Sequence, residues 1–132
     1  MPRSTFAPRD REILKAPNYC HLSVVADDGT IQSVIIWSDL DDDDRVVLNS
    51  AEGRSWPENL RRAGGATVTV MNLENPEEFV TVVGRLVEDT HDGADDVINA
   101  LAHKYDGRDY AFTPGQQRVT FRLAPERITR YG

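Results

Sequence analysis

The sequence predicts a mainly β, α+β domain: about six antiparallel strands curled into a closed or split barrel, with helices on its rim. Two observations carry that expectation. Short apolar, β-branched runs are separated by tight turn signals such as Asp27-Asp28-Gly29, which suits hairpins and an antiparallel sheet. Three segments instead carry helical signals, and they fall before, between and after strand runs rather than alternating regularly with them.

Asp10 to Lys15 reads as a short helix, with Asp10 as its cap, Ile13 and Leu14 facing inward, and Pro17 as its stop. His21 to Ala26 is a strand. Asp27-Asp28-Gly29 turns the chain into a second strand, Ile31 to Trp37, whose run Val34-Ile35-Ile36-Trp37 is expected to be largely buried. Asp39 to Asp44 is the next turn. Its four consecutive aspartates lack the spaced ligands, central glycine and distal glutamate of a calcium loop, so a hairpin tip is expected and no metal is assigned.

Arg45 to Asn49 is a third strand. Glu58 to Ala63 is a helix entered through Pro57 and ended by Gly64-Gly65. Ala66 to Met71 alternates as a half-buried strand does. After the loop Asn72 to Pro76, Glu78 to Glu88 forms a long strand with Gly84 as a bulge or bend. Gly93 to Lys104 is helical, with Val97, Ile98, Leu101 and Ala102 on one face. Gln117 to Arg130 reads as a strand broken at Pro125, with Val119, Phe121 and Leu123 on one face. No internal repeat or composition shift divides the chain, so residues 1–132 are expected to form a single domain.

Composition narrows the function classes. The 132 residues carry a net charge of −7, which disfavours sequence-independent nucleic-acid binding. The basic residues are mostly arginine, which suits bidentate recognition of phosphate or carboxylate. Cys20 is the single cysteine, so no internal disulfide forms, and a buried packing role at a strand start is expected of it. No apolar run reaches membrane-spanning length and no leader is evident, so a cytoplasmic protein without a membrane partner is expected. His21, His91 and His103 are scattered, and no nucleophilic triad, zinc motif or Gly-rich phosphate loop is present.

One stretch stands out as a candidate anion site, Asn49 to Arg62. A strand end, Leu48-Asn49-Ser50, leads into Arg54-Ser55-Trp56-Pro57-Glu58-Asn59-Leu60-Arg61-Arg62 at a helix start. Helix-terminal amides favour an anion, Arg54 adds charge, and Ser50 and Ser55 offer hydroxyls. Arg61 and Arg62 either join this site or complement the far end of the helix.

At this stretch the chain resembles a known family. It is similar to the pyridoxamine-phosphate-oxidase-like split barrels, which bind FMN, and in particular to their actinobacterial branch of deazaflavin (coenzyme F420)-dependent oxidoreductases. The landmarks occur in order: Ala16-Pro17-Asn18-Tyr19-Cys20-His21-Leu22, Asp28-Gly29-Thr30, Val34-Ile35-Ile36-Trp37, Leu48-Asn49-Ser50, Gly53-Arg54, Asn59-Leu60-Arg61-Arg62, Glu74-Asn75-Pro76, Val83-Gly84-Arg85-Leu86 and Leu101-Ala102-His103-Lys104-Tyr105.

The resemblance implies a six-stranded split barrel, a homodimer and a flavin-like cofactor at the subunit interface. It implies that the ring lies beside Val34, Ile35, Ile36 and Trp37. The phosphate would meet Asn49, Ser50, Arg54, Ser55 and Asn59. Trp56 and Glu58 stand where relatives often carry basic residues, so the site is expected to be less positive; Trp56 either stacks on the cofactor or packs on the barrel.

The expected activity is F420-dependent hydride transfer to a small organic substrate. The alternatives are an FMN-dependent oxidoreductase and a non-catalytic flavin or deazaflavin binder. A tetrapyrrole-handling role, known among related barrels, ranks last because no haem-ligating arrangement is apparent. No catalytic residue is assigned. Tyr105, Tyr110 and His103 are considered as proton donors, with packing or surface roles as the competing reading.

Overall fold

The computed structural model describes residues 3–132. In chain order the elements are α1 (Pro8–Lys15), β1 (Cys20–Val25), β2 (Ile31–Ile36), β3 (Asp39–Leu40), β4 (Val46–Ala51), α2 (Ser55–Ala63), β5 (Gly65–Met71), β6 (Phe79–Thr90), α3 (Ala94–Asp106) and β7 (Arg118–Tyr131). All strands join one antiparallel sheet in the order β2-β1-β5-β6-β7-β4-β3, curled into a split barrel.

The strand count is seven rather than six. The additional strand, β3, is two residues long and lies in the stretch expected to be only a turn, pairing Asp39 and Leu40 with Val47 and Val46. So short a ladder leaves no alternation to detect in sequence. Leu40 is nevertheless buried, and its carbonyl accepts a 2.9 Å hydrogen bond from Lys15 Nζ.

The Asp27–Gly29 turn forms as expected, with Asp28 accepting from the backbone N–H and hydroxyl of Thr30. In α1, however, Asp10 is not the cap: Ala7 is, and the buried Asp10 carboxylate accepts from the Ala7 N–H at 2.7 Å. Pro125 does not break the last strand. The ladder of β7 with β4 ends at Leu123, and Pro125 lies beyond it at a bulge where β6 shifts register between Val83 and Gly84. Gly84 is needed there, because a Cβ would sit 2.8 Å from Leu123 Cβ.

The barrel interior is filled by Leu22 and Val24 of β1, Val68 and Val70 of β5, Val80 and Val82 of β6, and Phe121, Leu123 and Ile128 of β7. Ile13 and Leu14 of α1 and Trp56 and Leu60 of α2 add to that interior. Helix α3 is different. Its buried residues Ala94, Ile98, Leu101 and Ala102 lie outside this cluster, and it packs against β4 and β7.

The second strand is less buried than its apolar run suggests. It is an edge strand, so Val34 and Ile36 pack toward the core while Ile35 stays 67% exposed. Among the described residues, no helix is long and apolar enough to cross a membrane.

Candidate functional site

Strand β4 alternates. Val46 and Leu48 enter the barrel, and Asn49 projects to the opposite side, toward α3. Its register partner on β7 is Thr120, and Arg118 stands on the same face of β7, opposite Ala51. These polar side chains form a buried nest between the sheet and α3.

The bonding within the nest is directional. Asn49 Nδ2 donates to the Ala94 carbonyl at 2.9 Å and to Thr120 Oγ1 at 3.1 Å, which uses both amide hydrogens. That turns Asn49 Oδ1 toward Arg118, whose Nε donates to it at 2.9 Å. Arg118 Nη1 donates to Tyr110 Oη at 3.3 Å and to Gln116 Oε1 at 3.2 Å, and the guanidinium lies 5.2 Å from the centre of the Tyr110 ring.

Arg118 is only 4% exposed, yet among the described residues no carboxylate lies within ion-pairing distance and Nη2 donates to nothing. Burial, with the positive charge of Arg54 adding to it, holds Arg118 below the usual arginine pKa. A buried cation without an acid is costly, so its retention asks for an explanation.

Arg118 lines an open cavity of about 310 Å³. Its lining brings Ile35 and Ile36 of the edge strand β2 and Trp37 together with Asn49, Arg54, Tyr110 and Arg118, and with Ile98 and Leu101 of α3. Arg54 precedes α2 as its cap residue. The cavity thus combines apolar and aromatic side chains with two arginines.

Of the residues expected to hold a cofactor, Ile35, Ile36, Trp37, Asn49 and Arg54 come together here. The others go elsewhere. Val34 packs on the core, and Ser50 is buried with its hydroxyl unpartnered. Trp56 is in the barrel interior, with its ring centre 5.6 Å from that of Phe121. Ser55 and Asn59 are both bonded at 2.7 Å to Gln32 of β2, which anchors α2 to that strand.

Arg118, Tyr110 and Tyr19 line the cavity without having been singled out for it, although Tyr110 was considered as a proton donor. Arg118 and Thr120 do show the polar half of the alternation beside Val119 and Phe121. Read alone, that pattern means a solvent-facing side, because nothing local announces that α3 covers it.

The considered proton donors separate clearly. Tyr105 stacks between Tyr19 and Trp37 and donates to the Asn18 carbonyl at 2.6 Å, and burial pushes its phenol up to about 12. His103 is exposed and paired with Asp109 at 2.6 Å. Only Tyr110 reaches the cavity. Lys104, whose ammonium burial makes less favourable, ties α3 to the carbonyls of Leu14 and Ser38. Cys20 is buried, and that burial pushes its thiol up to about 12, which suits packing. Among the described residues, no cluster of metal-ligating side chains occurs.

Comparison with known proteins yields a match of fold. No family model matches the chain, and no curated protein matches it. An F420 reductase superposes with a TM-score of 0.83 at 21% identity, covering 94% of this chain and 98% of that one. A conserved hypothetical protein from Mycobacterium tuberculosis gives 0.75 at 15% identity, covering 96% and 85%. A pyridoxamine 5′-phosphate oxidase, so described provisionally, from Lactobacillus delbrueckii gives 0.68 at 16%, covering 96% and 95%. At these identities the likeness establishes the split-barrel fold.

Proposed function

We propose that this chain is an oxidoreductase that binds a deazaflavin, coenzyme F420, in the cavity between β2 and α3 and moves hydride to a small organic substrate. The observation that carries the reading is the composition of that cavity: Ile35, Ile36 and Trp37 together with Arg54 and Arg118. Apolar and aromatic lining suits a fused ring, and cations without carboxylate partners suit a phosphate-bearing tail. The fold shared with an F420 reductase supports the choice of cofactor. A bound reduced deazaflavin supplies hydride chemistry of its own. The protein's part is to orient the ring against β2, to screen it from water with α3, and to neutralise its tail.

A homodimer belongs to the same proposal. Val25, Ile31 and Ile35 are exposed on the outer side of β1 and β2, and Ile35 also lines the cavity. A second subunit packed there would cover apolar surface and narrow the cavity mouth. Light scattering tests it; a strict monomer contradicts it.

A second reading, a flavin or deazaflavin binder without turnover, is favoured by one observation. Trp56 and Glu58, which stand where relatives often carry basic residues, bring no positive charge to the cavity: Trp56 is buried in the barrel interior and Glu58 pairs with Arg61. Fluorescence titration with F420 and with FMN decides the cofactor. Micromolar binding of F420 in preference to FMN is expected; preference for FMN moves the assignment to a flavin enzyme, and failure of both defeats the reading. Turnover of nitro compounds, quinones or activated alkenes separates enzyme from binder. Arg54→Ala is expected to weaken the phosphorylated ligand by roughly 1.5–3 kcal/mol.

A further inference from the structure

The proposed function counts Arg118 as one of two cations near the ligand's tail without saying how it is held, and among the described residues no other cation is placed as it is. Arg3, Arg9, Arg11, Arg61, Arg85, Arg122 and Arg130 each pair with a carboxylate. Arg45, Arg54, Arg62, Arg108 and Arg127 do not, but all are at least partly exposed to water. Among the described residues, Arg118 alone is buried without an ion-pair partner, with Asp95 acting on it only from beyond ion-pairing distance.

We propose that Arg118 is the residue that takes the oxyanion of the bound ligand through its open Nη2, that Asn49 positions it, and that Arg54 is the second cation of the same subsite. The assignment deepens the cofactor reading and rests on it for the ring; for the anion it rests on the nest itself.

Three features support it. First, Asn49 has no donor left for a phosphate, since both amide hydrogens go to Ala94 and Thr120. Its role is to hold Arg118 through Oδ1. Second, Nε and Nη1 are fully engaged with Asn49, Tyr110 and Gln116, which fixes the plane of the guanidinium and leaves one direction for a ligand. Third, the two cavities that Arg118 lines differ. A wider one of about 610 Å³ is lined also by Asp95 and Asp96, which repel an anion. The cavity shared with Arg54 is lined by no carboxylate.

The chemistry recognised is a phosphate or carboxylate oxyanion. It belongs either to the cofactor's tail or to an anionic substrate. Titration of the intact chain tells them apart, using FMN against riboflavin, F420 against the phosphate-free deazaflavin riboside, and benzoate as a ring-bearing carboxylate. The variants are Arg118→Met and Asn49→Asp. The second keeps the guanidinium and gives it an internal carboxylate, so it neutralises the subsite without emptying it; circular dichroism confirms that each variant is folded.

Both variants are expected to weaken the anionic ligand by about 10- to 100-fold and to leave riboflavin and the deazaflavin riboside unchanged. A loss confined to FMN and F420 assigns Arg118 to the cofactor's phosphate, and a loss confined to benzoate assigns it to a substrate carboxylate; either supports the proposal. Unchanged affinity for all the anionic ligands in the folded variants overturns it, as does a wild-type chain that binds none of them. If no flavin or deazaflavin binds but benzoate does, and is lost on substitution, the cofactor reading falls while the anion subsite stands.

Discussion

Arg61 and Arg118 are both partly or fully shielded arginines, yet their surroundings are opposite. Arg61, near the end of α2, is shared among Glu52, Glu58 and Asp89. Its charge is consumed by the protein. Arg118 has only uncharged partners, Asn49, Tyr110 and Gln116. In a chain of net charge −7, a buried arginine left without an ion-pair partner is the informative one. Arginine-rich stretches such as Arg54–Arg62 draw attention in sequence, but charge available to a ligand depends on which carboxylates fold beside them.

The largest effect expected from this contrast concerns α2. If that helix is part of the barrel interior, Trp56→Ala should cost about 3–5 kcal/mol in urea denaturation, as large aromatic truncations do. Trp56→Phe should cost less and leave cofactor affinity unchanged; a specific loss of affinity would return the indole to the site.

Next comes the nest. Asn49→Ala strands the Ala94 carbonyl and leaves Arg118 Nε without its acceptor, and should cost about 1–3 kcal/mol. Urea unfolding measures it, and a negligible cost would mean that water replaces the amide.

Arg61→Ala should matter least, about 0–1 kcal/mol, because its partners are partly exposed and screened. Added salt should shrink that difference further.

The same network predicts a pH dependence. Hydrogen bonds from Arg61 and then His91 hold the Glu52 carboxyl below its ordinary value of 4.5. A carboxyl lowered on folding stabilises the protein above its unfolded pKa, and that contribution disappears as pH falls through the folded value. The stability difference between wild type and Glu52→Gln should therefore be present at neutral pH and fade below 4.5. Acid-urea titration of both proteins checks it, and a difference that persists in acid would remove Glu52 from the ion-pair account.

Much of the fold was legible. Asp27–Gly29 gave its hairpin, Gly84 its bulge, and Ile98, Leu101 and Ala102 the buried side of α3. Pro125 misled because a proline past the end of one ladder needs no N–H there. β3 escaped because two residues show no period.

The site was legible only in part, for a geometric reason. Asn49 and Ser50 are neighbours in sequence, so a strand sends them to opposite faces; one reaches the nest and the other the barrel interior. Helix α2 likewise turns Trp56 inward while Arg54, before its first turn, reaches the cavity. Arg118 could be grouped with them only once β7 was paired to β4.

The central claim is that ring and anion share the cavity between β2 and α3. A crystal structure of the chain grown with F420, or with FMN should that bind instead, tests it most directly. The account predicts the ring against Ile35, Ile36 and Trp37 and a ligand oxyanion within hydrogen-bonding distance of Arg118 Nη2. A ligand bound away from β2, or one whose phosphate rests on α2 with Arg118 Nη2 unengaged, would contradict it.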